Sequence, residues 1–204
     1  SQLNEGIRDP IKVYEFMNKF YVEEGNKRVS VMKAVDAAYI PANVIRILPK
    51  RTEEKDNLIY YEFVDFYSVA QTNEIWFSQV GSFPALIQAI GKKPGEPWDI
   101  EFRRNFFSLY NTFSEYFLAK GGEKLSVTTA DAFLKYLEIY DYEDILKKAP
   151  AEIKEDVNRL WDEFSITGDG EGSALVKDTE DAPASSKGLL SLTRLFSGRS
   201  QKVK

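Results

Sequence analysis

The sequence predicts a mainly α fold, a helical bundle-like domain around a central aromatic helix. A small antiparallel β-meander at about 44–80 is the reading that would make it α+β. Two observations lead there. Within 98–122, Phe102, Phe106, Leu109, Phe113 and Phe117 recur at spacings of three and four and form one apolar stripe. Phe107, Tyr110, Tyr116 and Leu118 widen it around most of the helix. A helix greasy on so many sides is buried by its neighbours rather than laid on a surface. The second observation is that the flanking segments repeat helical spacing between recognisable caps and prolines.

In chain order, Asp9-Pro10 reads as an N-cap followed by an N1 proline. Ile11, Tyr14, Phe16, Met17, Phe20 and Tyr21 then read as the apolar stripe of a first helix closed by Gly25. Ser30 reads as the cap of a second helix, VMKAVDAAY, which stops at Pro41, and ANVIRIL follows up to Pro49. The dense run LIYYEFVDFYSVAQ admits two readings. Thr52 as a cap with Ile59, Phe63, Phe66 or Tyr67 and Ala70 on one side argues for a helix. The wealth of aromatic and β-branched residues argues for strands at 58–64 and 75–80, which is the favoured reading. Ser82 and Pro84 open a helix that Gly91 ends, and KKPGEPW is a linker. Asp99 caps the central helix, and Lys120-Gly121 closes it. Thr128 and Asp141 cap two further helices. Ile153, Val157, Leu160, Trp161 and Phe164 mark the cleanest amphipathic helix of the chain.

Composition narrows function. The chain has no histidine and no cysteine, which removes the commonest general base, thiol nucleophiles and thiolate metal sites. No catalytic constellation emerges from the acids, so the expectation is a protein that is not an enzyme and has no cofactor or metal. Twenty-seven Lys and Arg against 32 Asp and Glu leave a net charge of -5, unlike a protein that coats nucleic acid. The start has no basic region followed by an apolar one, and no apolar run reaches the length of a membrane span. The expected location is therefore cytoplasmic or intracellular, or within an assembled particle.

Two segments carry functional expectations. VMKAVDAAYIPANVIRIL resembles a helix-turn-helix, with Ala37 and Ala38 at the packing point and VIRIL as recognition helix. The preceding FMNKFYVEEGN is similar to the N-terminal DNA-binding segment of phage small terminase subunits. That resemblance implies DNA binding through Asn43, Arg46, Lys50 and Arg51, as an accessory or regulatory factor. The second segment is the C-terminus. After a globular domain over 1–165, residues 166–187 read as a flexible acidic linker, and 188–204 as an apolar-basic peptide. Leu189, Leu192, Leu195 and Phe196 would form its docking face, with Arg194 beside them. The leading expectation is thus a non-enzymatic assembly or adaptor protein that binds a partner protein, or a second copy, through this tail. A viral or phage particle is the setting that the compact, cysteine-free, aromatic-rich chain suggests. Nucleic acid is the secondary partner.

Overall fold

The structure is a computed structural model that describes residues 9–37 and 39–166. It is mainly α with a small β part, as expected. The described residues fall into two compact units: residues 9–53 with Gln71–Glu74, and residues 54–70 with 75–166.

The first unit departs from its sequence reading. The expected helix at 10–24 is a hairpin of β1 (Ile11–Phe16) and β2 (Lys19–Glu24). Along β1 the burial alternates, with Ile11, Val13 and Glu15 inside and Lys12 and Tyr14 half-exposed, which is the period of a strand and not of a helix. The two-residue turn takes left-handed backbone at both Met17 (φ 50°) and Asn18 (φ 59°). That is the primed turn whose twist matches a hairpin, made here without glycine. Helix α1 (Asn26–Ala34) follows, starting four residues before Ser30, whose hydroxyl donates back to the Asn26 carbonyl instead of capping. The expected recognition helix is a strand, β3 (Ala42–Arg46). The segment between Pro41 and Pro49, with Val44, Ile45 and Ile47 β-branched, is too short to hold a helix by itself but long enough to pair.

The strand order is β2-β1-β3, with β1 antiparallel to β2 and parallel to β3. One sheet face meets α1, and Ile11, Val13, Phe20, Val29 and Ile40 form the core there, flanked by Val22, Met32 and Ala42. Gly25, at φ 101°, passes so close to β1 that an added Cβ would lie 2.3 Å from Ile11 Cγ2.

The second unit is helical. The strands expected at 58–64 and 75–80 are absent: α2 (Lys55–Ala70) spans the first segment, and the second is irregular. Tyr60, Phe63 and Phe66 are buried at helical spacing, so tertiary packing outweighs their β preference. Then come α3 (Ser82–Ala89), the central α4 (Ile100–Ala119), α5 (Thr129–Ile139), the single-turn α6 (Tyr142–Ile145), α7 (Pro150–Arg159) and α8 (Trp161–Ile166). Helix α4 begins as expected, with Asp99 accepting from Phe102 N at 2.8 Å, and ends before Gly121 at φ 100°. Phe106, Leu109, Phe113 and Phe117 are buried on it, against α5 and α7. Phe113 lies 5.2 Å from the Phe133 ring and 5.3 Å from Tyr136, while Phe117 and Phe164 meet edge to face at 5.8 Å. Thr128 and Asp131 close a reciprocal capping box, and Asp131 also accepts from Ser78 N, tying the irregular segment to α5. The amphipathic helix expected from 151 to 164 is interrupted at Leu160, which separates α7 from α8.

Candidate interaction surface

The small sheet has a second face. Because Tyr14 pairs with Tyr21 on one side and with Ile45 on the other, Tyr21, Tyr14 and Ile45 form a cross-strand row on the side away from α1. By the same alternation Phe16 and Ile47 lie on that side. Tyr21, Ile45 and Ile47 are each 44–46% exposed and Phe16 is 37% exposed. One corner is polar: Lys12 Nζ and Glu23 lie 2.7 Å apart, and Lys12 sits 5.8 Å from the Tyr14 ring centre. Their mutual hydrogen bond raises the Lys12 ammonium and lowers the Glu23 carboxyl from their ordinary values. Four large apolar side chains on one face of a three-stranded sheet are more than scattered surface hydrophobics.

The residues of the DNA-binding expectation do not share a recognition helix. Asn43 and Arg46 are on β3 and, three positions apart, point to opposite faces, whereas a recognition helix would present them together. Arg46 turns to the α1 side, where its Nε donates to Glu15, a fully buried carboxylate, and its NH2 donates to Asn73 Oδ1 at 3.1 Å. The other Glu15 oxygen accepts from Asn18 N at 2.6 Å. A buried carboxylate needs such a partner, so the arginine is accounted for within its own unit. Lys50 and Arg51 lie past Pro49 and are exposed. Leu189, Leu192, Arg194, Leu195 and Phe196, like the acidic stretch before them, lie outside the described residues.

The second unit holds a buried polar network centred on Asp156. Asp156 accepts from Tyr136 OH at 2.7 Å and is also bonded to Lys148 and Arg159. Lys148 Nζ lies 3.8 Å from the centre of the Tyr140 ring. Burial pushes the Asp156 carboxyl up, but the hydrogen bonds from Lys148 and Tyr136 outweigh it and hold the group below its ordinary value. The Tyr136 hydroxyl is pushed well up by burial and by the same carboxylate. A cleft of about 370 Å³ lies beside the network, with Asn105, Ser108 and Thr112 on one wall and Ile145, Lys148 and Ile153 on the other. Its cation is committed to Asp156, and no carboxylate is among the described residues that line it. Among the described residues no three acids come together as a metal site would require, and no helix is long and apolar enough to cross a membrane.

Comparisons with protein-family models, curated proteins and solved structures return no match. Function therefore rests on this chain's own residues.

The exposed row was not singled out by sequence reasoning. Its signal is present in IKVYEF and KFYVEE, where both strands alternate and carry an aromatic on the polar side.

Proposed function

We propose that the chain is a non-enzymatic assembly or adaptor protein that acts by presenting an apolar surface to another protein. The observation that carries this is the Tyr21–Tyr14–Ile45 row with Phe16 and Ile47 beside it, exposed on a sheet whose other face already has its helix. The lack of histidine and cysteine, and a cleft without an acid-base pair, fit binding better than chemistry. The segment 188–204, with Leu189, Leu192, Leu195 and Phe196, serves in this reading as a second, tethered contact, and a viral or phage particle is a setting suited to such a protein.

The test compares the full chain, the Tyr21→Ser/Ile47→Ser variant and a 1–187 truncation by light scattering and by pull-down from the native source. Both side chains are exposed, so the double variant is expected to keep its fold, checked by circular dichroism, and to lose at least about tenfold in association. Loss of association on truncation would add the tail to the surface. If all three proteins associate alike, the proposal fails.

A further inference from the structure

Among the described strands β3 has one neighbour, β1. Two hydrogen bonds fix which of its peptide groups face β1: Ile11 N donates to Pro41 O at 2.9 Å, and Ile47 N donates to Glu15 O at 2.8 Å. In a parallel ladder that parity points the backbone of Asn43, Ile45 and Ile47 at β1, and turns that of Val44 and Leu48 outward. No described strand pairs with that outer side. Edge strands are usually guarded by charge, a bulge or a proline within the strand. Here the residues from 42 to 48 read ANVIRIL, and the prolines stand outside them at 41 and 49. The charge on this edge, Arg46, is neutralised by Glu15. Val44, Ile45, Ile47 and Leu48 are each at least 38% exposed.

We propose that a second copy of this chain pairs with that edge, β3 against β3 and antiparallel about a two-fold axis, with Ile45 opposite Ile45. This rests on the interaction reading above and names its partner. Four features favour the homotypic register. Arg46 falls opposite Val44, Asn43 opposite Ile47 and Leu48 opposite Ala42, so no like charges meet. The short strand, bounded by proline at both ends, matches a partner equally short. The outward peptide groups of Val44 gain partners on both sides of the axis. The exposed row also becomes continuous across a six-stranded sheet: Tyr21, Tyr14 and Ile45 of one copy run on into Ile45, Tyr14 and Tyr21 of the other. Such an isologous contact closes on itself.

The absence of cysteine makes the register directly testable in the full chain. Ile45 faces β1 with its own backbone, so Ile45 opposite Ile45 is a non-hydrogen-bonded pair, with Cα atoms about 4.5 Å apart, within disulfide reach. Under mild oxidation at about 10 μM, Ile45→Cys is expected to give a covalent dimer. Ile47→Cys is expected to give one only when Asn43→Cys is added. Sedimentation of the wild-type chain should show a monomer–dimer equilibrium. Val44→Pro, which removes an outward N–H and leaves the ladder to β1 intact, should weaken it at least about tenfold. A wild-type chain monomeric up to about 100 μM, or equal crosslinking of Ile45→Cys and Ile47→Cys alone, would overturn the pairing. In that case retained binding of another protein, sensitive to Tyr21→Ser/Ile47→Ser, would leave the broader interaction reading standing. Loss of both would remove it too.

Discussion

Removing the Asp156 carboxylate gives the sharpest test of how the helical unit is held together. Asp156→Ala takes away the acceptor of Tyr136 OH, and the Tyr136 side chain is fully buried, so its hydroxyl is left without a partner. A stranded buried donor costs about 1–3 kcal/mol. Lys148, with its side chain only 21% exposed, loses its counter-ion as well. Breaking a buried pair from one side costs about 3–5 kcal/mol, and partial exposure of the lysine places this case near about 3 kcal/mol in all. Arg159 is 64% exposed and can turn to water, so it is left out of the sum. Tyr136→Phe alone should cost about 1 kcal/mol, since Asp156 keeps both cations. In the double variant the stranded hydroxyl is gone, so its cost should fall short of the two singles added together by about 1 kcal/mol or more. The assay is urea unfolding at pH 7 followed by tryptophan fluorescence. All three tryptophans, Trp76, Trp98 and Trp161, belong to the helical unit, so the signal reports that unit alone. Strict additivity, or an Asp156→Ala cost below about 1 kcal/mol, would refute the network as a coupled support.

The same group sets an acid response. Its folded pKa is depressed, so its contribution is present above the unfolded carboxylate value of about 3.9 and is lost as pH falls through the lower folded value. Stability of the wild-type chain should therefore fall more steeply below about pH 4 than that of Asp156→Asn, measured as urea midpoints across pH 2–7. Gly122→Ala should cost about 1–3 kcal/mol in the same fluorescence assay, because its Cβ would lie 2.3 Å from the buried Phe117 ring. A neutral result would mean that the turn after α4 yields easily.

The helical unit was largely legible and the sheet was not, for physical reasons that particular residues show. Asp99, Gly121, Thr128 and Asp141 sit at helix ends where their chemistry acts locally, so their roles survive folding unchanged. Ile11, Tyr14, Met17 and Tyr21 fit a helical stripe by spacing alone, while Ile11, Val13 and Glu15 fit a strand. Glu15 hid the second pattern, because its burial depends on Arg46, far along the chain. The Met17-Asn18 turn lacks the glycine that announces most tight hairpins. In α2 the error ran the other way. Aromatic and β-branched residues suggested strands, but Phe63 and Phe66 are claimed by Phe83, a contact made across the unit. The exposed row was illegible for the same reason as the sheet, since it exists only once three strands are in register.

That arrangement also sets an order of events. The hairpin closes over a two-residue turn, whereas Ile11 meets Ala42 only after about thirty intervening residues, with α1 among them, have been gathered in. Strand β1 must therefore wait, half-paired, until β3 arrives. In a single copy the last strand to join pairs with β1 alone among the described strands, and it is the first to leave. In native-state hydrogen exchange of the single copy, at concentrations too low for pairing, the amides of Asn43 and Ile45 should open at a lower free energy than those shared between β1 and β2, which makes the β1–β3 seam the weaker of the two.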